Sequence, residues 1–168
     1  EFAASDRLSI TAGLRFQHTR YDYDNRMVSG RSRDDGTPCG FGGCRFNRPD
    51  DREDSFNDWS PKLGLIYDIS DNRQVFGSLS RGFRAPQATE LYRLQNAQNV
   101  TDIEPVELSA IEIGFRGFAE KVDYTVNVYS MEKDNFIFRD TSRMNIDGGE
   151  TSHRGLEVDI AYRIAQDL

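Results

Sequence analysis

The sequence predicts an all-β fold: a segment of an antiparallel, up-and-down transmembrane β-barrel, with about six long strands, short periplasmic turns and long extracellular loops. Three observations predict it. Apolar residues recur at every second position over segments long enough to cross a bilayer. The connections between those segments alternate short and long. The face opposite the apolar one carries full charges, which a dry core would not tolerate.

In the first segment Leu8, Ile10, Ala12, Leu14 and Phe16 share one face, and Ser9, Thr11, Gly13, Arg15 and Gln17 share the other. Leu63, Leu65, Tyr67 and Ile69 mark the second; Val75, Gly77, Leu79 and Phe83 mark the third. The fourth sets Ile111, Ile113 and Phe115 against Glu112, Gly114 and Arg116. The fifth sets Val122, Tyr124, Val126 and Val128 against Asp123, Thr125, Asn127 and Tyr129. In the sixth, Leu156, Val158, Ile160, Tyr162 and Ile164 alternate with Glu157, Asp159, Ala161 and Arg163. A helix would need spacings of three and four, which these segments lack.

Tight turns are expected at Ser70–Arg73, Ala119–Lys121 and Ala165–Asp167, all at one end of the sheet. Long connections are expected from Tyr21 to Asp58, Arg84 to Val106 and Arg139 to His153, all at the other. A soluble sandwich would have shorter strands and turns at both ends. A strand tilted by about 40° climbs about 2.5 Å per residue, so an apolar band of about 25 Å needs about ten residues. The segments are of that length. Phe16, Tyr21, Tyr23, Trp59, Phe83, Phe118 and Tyr162 fall near strand ends, as an interfacial girdle requires.

The polar face carries Arg15, Lys62, Asp68, Glu112, Arg116, Glu157, Asp159 and Arg163, which are read as lumen-facing. Arg81 departs from this scheme because it shares the parity of Val75, Gly77 and Leu79. Either it lies high enough to snorkel, or Gly82 marks a bulge that resets the parity.

Composition agrees with the pattern. The chain has 168 residues, a length suited to one domain, and 28 Asp and Glu against 21 Lys and Arg, a formal charge of −7. That balance argues against nucleic acid as a partner. No apolar run approaches the ~18–20 residues of a spanning helix, which excludes a helical membrane protein but not a barrel. The opening residues EFAASDRLSI lack the features of a signal peptide.

Specific strings carry a family resemblance. DWSPKLGLIYDISDNRQVFGSLSRGFRAPQATELY resembles the stretch of TonB-dependent outer-membrane receptors in which a Ser-Pro strand leads through a tight turn into a Ser-x-Gly-Phe-x-x-Pro strand end. The matching residues are Ser60, Pro61, Gly64, Tyr67, Ser80, Gly82, Phe83, Arg84, Pro86, Glu90 and Leu91. IEPVELSAIEIGFRG resembles the family's Leu-x-Pro-Glu segment with its downstream Glu-x-Gly; Pro105, Glu112 and Gly114 fit, and Val106 stands where Glu is usual. DGGETSHRGLEVDI is similar to Asn-x-Gly followed by Gly-x-Glu, with Gly149, Gly155, Leu156 and Glu157 in place and Asp147 for the Asn.

The resemblance implies an internal piece of a receptor barrel spanning residues 1–168, with its plug domain and remaining strands outside this sequence. It implies a Gram-negative outer membrane and active uptake of a ferric siderophore or similar iron chelate. Energy would be relayed by the TonB coupling protein through the N-terminal region, and no cofactor is expected. A passive porin-like channel and a soluble lectin-like module are the alternatives. No nucleophile elbow is present, so an enzyme is not expected.

In the stretch RAPQATELYRLQNAQN, Arg84, Gln87, Tyr92, Arg93 and Gln95 would suit an anionic, aromatic chelate, the alternative being a packing helix that orders the loop. The acidic run Asp50, Asp51, Glu53 and Asp54 lacks the spacing and glycine of a calcium loop, and no metal site is expected. Cys39 and Cys44 are separated by four residues, three of them glycine, so the backbone can bend to join the sulfurs. A disulfide closing a small loop is the expectation, with free thiols as the alternative; zinc would need about four ligands, and the only histidines, His18 and His153, lie far off in sequence. Mass measurement without reductant should find the chain two hydrogens lighter than its reduced form; two alkylatable thiols would overturn the pairing.

Overall fold

The computed structural model describes residues 2–26, 37–38, 46–95, 98 and 102–164. The elements in order are β1 (Phe2–Ser5), β2 (Leu8–Tyr23), β3 (Phe46–Asn47), β4 (Arg52–Ser70), β5 (Arg73–Arg84), α1 (Ala88–Tyr92), β6 (Leu94–Gln95), β7 (Val106–Ala119), β8 (Val122–Arg139) and β9 (Asn145–Tyr162). Seven strands form one antiparallel up-and-down sheet in the order β1-β2-β4-β5-β7-β8-β9, and β3 pairs with β6 apart from it. The six alternating segments are β2, β4, β5, β7, β8 and β9. The short β1, which the pattern did not announce, adds a seventh strand through the turn at Asp6 and Arg7.

Register makes the alternation continuous across strands. Leu8, Tyr67, Val75, Phe115, Val126 and Val158 lie in one row, and Ile10, Leu65, Gly77, Ile113, Val128 and Leu156 in the next. Among the described residues nothing packs on this face. Leu14 is 66% exposed, Val158 55% and Ile160 70%. The buried apolar residues are instead Leu91, Tyr92, Leu94, Ile103, Val106 and Ile137, on or beneath the long loops. A single layer with its apolar rows turned outward is the arrangement of a barrel wall facing lipid, and it differs from a sandwich, whose apolar faces meet each other.

The apolar band runs obliquely to the rows. On β2 its upper edge is Phe16, which pairs with Trp59 at a ring separation of 4.7 Å; on β9 the edge is Leu156, in the row of Ile10. Six residues of about 3.4 Å across five strand spacings of about 4.8 Å correspond to a tilt of about 40°. That is the tilt of a membrane barrel. The residue pattern therefore encodes the strand inclination as well as the faces.

The same slope settles Arg81. β5 and β7 stay in register from Arg73 opposite Gly117 to Arg84 opposite Val106, so Gly82 is not a bulge. Arg81 does face outward, in a polar row with Ser109, Glu132 and Ser152 above the band, and it pairs with Glu107. Tyr21 and Tyr23, expected in the girdle, pack instead against the loop core on the opposite face.

The expected long connection from Arg139 to His153 is mostly strand: β8 and β9 continue to a turn at 140–144. Above the membrane neither face must be apolar, so hydropathy alternation goes silent while the hydrogen-bond ladder persists. The Cys39–Cys44 pair and the Ala165–Asp167 turn lie outside the described residues.

In the receptor folded into bilayers, Ile160→Arg should cost about 2–4 kcal/mol, whereas Asp159→Arg on the polar face should cost under about 1 kcal/mol. Denaturant titration of the two variants checks the assignment of faces, and equal losses would contradict it.

Candidate functional site

Two groups of functional side chains stand out on the polar face, one at the loop end and one along the wall. The first is organised by α1. Gln87 caps the helix in an extended conformation, and its backbone N–H donates to Glu90 Oε2 at 2.7 Å. The Arg84 guanidinium donates to both Glu90 oxygens, at 2.9 and 3.2 Å. Leu91 and Tyr92 turn into a small core with Ile103, Val106 and Ile137, packed against Tyr21, Tyr23 and Phe56. Tyr92 stacks on Tyr23 at 4.3 Å and meets Tyr21 edge-on at 6.2 Å.

The polar atoms of this core are paired. Tyr92 Oη donates to Asp54 Oδ2 at 2.8 Å, Tyr21 Oη donates to the Pro86 carbonyl at 3.0 Å, and Arg48 Nη1 donates to the Tyr92 carbonyl at 2.9 Å. Burial first, and then the Asp54 carboxylate, raise the Tyr92 phenol above its ordinary pKa. The neutral phenol is thus favoured in the folded loop; its stabilisation is complete below the unfolded value near 10 and declines as pH rises above it.

Asn145 is the hub that ties this loop to the β8–β9 hairpin. Gln98 Nε2 donates to the Asn145 carbonyl at 2.8 Å, and Asn145 N–H donates to Gln98 Oε1 at 3.1 Å, so one side chain mimics a ladder partner. Asn145 Nδ2 donates to the Glu90 carbonyl at 3.0 Å. Gln98 and Asn145 are both buried, which makes these bonds obligatory. Nearby, Asp147 Oδ2 accepts from the Glu104 N–H at 2.8 Å. Asn135, at φ 54° in the bulge of β8, donates to Glu104 Oε2 and to the Pro105 carbonyl.

Of the five expected loop contacts, Arg84, Gln87 and Tyr92 are therefore engaged in ordering α1. Arg93 is exposed at the helix C-cap, and Gln95 lies in β6 opposite Phe46. The acidic run has separate partners: Asp51 accepts from Asn25 N–H at 2.7 Å, Glu53 pairs with Arg20 at 2.6 Å, and Asp54 meets Tyr92 and Arg52.

Along the wall, Gln74 Nε2 donates to Asp68 at 2.6 Å, and Arg116 Nε donates to Gln74 Oε1 at 2.7 Å. Asn127 Nδ2 donates to Glu112 at 2.8 Å and to Glu157 at 3.4 Å. Asp159 lies opposite Thr125, next to this chain. Arg15 donates to Gln17 at 2.6 Å, and Arg163 holds Asp123 through both oxygens at 2.8 and 2.9 Å. The motif glycines have a mechanical reason. A Cβ at Gly114 would fall 2.2 Å from the Phe76 ring, and one at Gly155 2.4 Å from Tyr129 Oη, so each glycine leaves room for a cross-strand aromatic ring.

The match to known proteins follows this geometry. The family model described as TonB dependent receptor-like, beta-barrel, matches residues 1–167. The chain belongs to the TonB-dependent receptor β-barrel family. Its members are outer-membrane proteins of Gram-negative bacteria and are transporters rather than enzymes. Solved structures share the fold. The copper transporter OprC has a TM-score of 0.70 and 18% identity over 97% of this chain and 25% of its own. The ferric yersiniabactin uptake receptor FyuA from Yersinia pestis gives 0.66 and 17% over 98% of this chain and 23% of its own. The ferric-catecholate import receptor Fiu from E. coli K12 gives 0.64 and 21% over 98% of this chain and 24% of its own. The chain thus spans about a quarter of the length of these receptors.

Arg139, Asn145, Gln98, Asn135 and Asn127 were not singled out from the sequence. Only the parity of Asn127, between two acidic strands, offered a signal. Asn145→Ala should cost about 1–3 kcal/mol locally and free the loop from the hairpin. Limited proteolysis should then cut within 85–105 faster than in the parent, with the β7–β8 ladder still protected; an unchanged cleavage rate would remove Asn145 from its role as hub.

Proposed function

We propose that the chain is one arc of an active outer-membrane transporter that takes up an iron chelate or a similar scarce solute. Further strands complete the barrel, since lipid does not tolerate the unpaired edges of β1 and β9. A plug domain fills it, and a periplasmic coupling protein supplies the energy. The observation that carries this reading is the polar, charged face with α1 and its small core packed at the loop end, on a sheet of the TonB-dependent receptor family. Copper, ferric yersiniabactin and ferric catecholates are the cargoes named for the similar receptors, which supports a metal or metal chelate.

The division of labour follows from the bonds above. Glu112, Arg116, Glu157 and Asp159 face the plug and the passing solute, with Arg15 and Arg163 towards the two ends of the same wall. Arg93 meets the solute first, while Arg84, Gln87 and Tyr92 hold the helix that carries it, beside Gln95.

A strain deleted for the receptor and complemented with it should grow on one or a few of a panel of single iron sources. Uptake should stop when the proton-motive force is dissipated. Uptake that persists without that force, at a rate proportional to solute concentration, would establish a passive channel instead.

A further inference from the structure

A groove of about 770 Å³ opens on the outward face, along the two rows that hold Ala12 and Leu14. Its floor is low because Ala12, Pro61, Ser109 and Ser130 are short where neighbouring positions carry leucine or isoleucine. Beyond Leu79, which lines both, a second recess of about 190 Å³ continues down β5 to Gly77. The edge of the apolar band falls from Phe16 on β2 to Leu156 on β9, so it crosses the groove obliquely. Ala12 and Pro61 lie below that edge, beneath the Phe16–Trp59 pair; Ser109 and Ser130 lie above it. One cavity is thus apolar at one end and polar at the other.

The polar end offers two cations. Arg154 stands directly opposite Ser130 and has no hydrogen-bond or ion-pair partner among the described residues. Arg81 gives one nitrogen to Glu107 and keeps its other donors. The carboxylates Glu107 and Glu132 each stand one row further from the band than the arginine beside them. Positive charge therefore lies nearest the hydrocarbon, where the phosphates of a bilayer sit.

We propose that this groove seats a phosphorylated lipid of the outer leaflet, its chain running past Leu79 towards Gly77 and its head group over Ser109 and Ser130. Arg81 and Arg154 flank the two serines from β5 and β9, three strand spacings of about 4.8 Å apart, so the phosphate meets a guanidinium on either side. Forked guanidinium donors match phosphate oxygens. The chain adds packing rather than a hydrophobic transfer, because the surrounding lipid is equally apolar, so the head group decides the preference. The seat needs only the outer-membrane placement of the chain and does not depend on which solute is carried.

Titration of the full-length receptor in detergent micelles with dioleoyl phosphatidylglycerol, followed by native mass spectrometry, tests this. The parent should retain one lipid saturably. Dioleoylglycerol, which has the same chains and no phosphate, should bind about tenfold more weakly or worse. R154Q should weaken the phospholipid by about tenfold, the loss of one charge-assisted contact. S109L, which raises the floor without touching a charge, should weaken it as much. Heat-modified gel migration confirms that each variant has formed its barrel. Equal affinity for the two lipids, uptake of many lipids with no saturating first one, or parental affinity in either variant overturns the seat. A receptor dimer that forms with the groove empty and is broken by S109L overturns it too, and assigns the groove to a second copy.

Discussion

The structure depends on the backbone's need for hydrogen-bond partners in a medium that offers none. Inside hydrocarbon each unpaired N–H or C=O costs several kcal/mol, so the chain forms a continuous ladder between neighbouring strands. The up-and-down order β1-β2-β4-β5-β7-β8-β9 is the simplest way to achieve this with short turns. Once the ladder is fixed, every side chain is assigned to one of two faces by parity alone. The hydrophobic effect then plays an unusual part: it does not collapse a core but selects which face meets lipid. Leu14 and Ile160 can be 66% and 70% exposed without instability because their solvent is the bilayer.

Above the band that constraint lifts, and a different economy begins. β2, β4, β8 and β9 rise past the outward apolar band, and the outward residues next above it are polar, His18, Asn57, Glu132 and Arg154 among them. There the chain can bury apolar groups in the ordinary way, and it does so around Leu91 and Tyr92. The loop core is small, so its order depends on bonds as well as on buried area. Arg84 with Glu90, Tyr92 with Asp54 and Gln98 with Asn145 connect three separate loop or strand segments across sequence gaps of 6, 38 and 47 residues. Pairing of Phe46 with Gln95 and of Asn47 with Leu94 ties in the preceding loop.

This contrast explains what could be read from the sequence. Ile111, Ile113 and Phe115 announce their strand and their face because lipid imposes both at once. Trp59 and Leu156 mark the band's edges, and only the register reveals that the edge slopes, because the slope belongs to neighbouring strands rather than to either segment. Asn145 and Gln98 give no local sign: their bond is made by chain topology, 47 residues apart. Arg84 and Tyr92 looked suited to a ligand for the same chemical reasons that suit them to Glu90 and Asp54. A forked cation and a phenol find whichever partner the fold brings nearer. The strand status of 145–153 was hidden because above the band neither face has to be apolar, so these residues do not alternate in hydropathy.

The family motifs acquire a physical meaning in the same terms. Gly114 and Gly155 stand directly opposite Phe76 and Tyr129, and each ring covers the bare backbone of the neighbouring strand. A β-strand weakened by glycine is thereby repaired by an aromatic ring lying flat on the polar wall. The flattened rings leave Glu112 and Glu157 side by side at Asn127, on the two strands that flank it. Glycine, aromatic and carboxylate thus act as one unit: the glycine admits the ring, and the strand pairing brings the acids together. Asp147, at the place of the Asn in the resembling motif, offers an oxygen that accepts the Glu104 N–H, and an asparagine side chain carries an acceptor oxygen too.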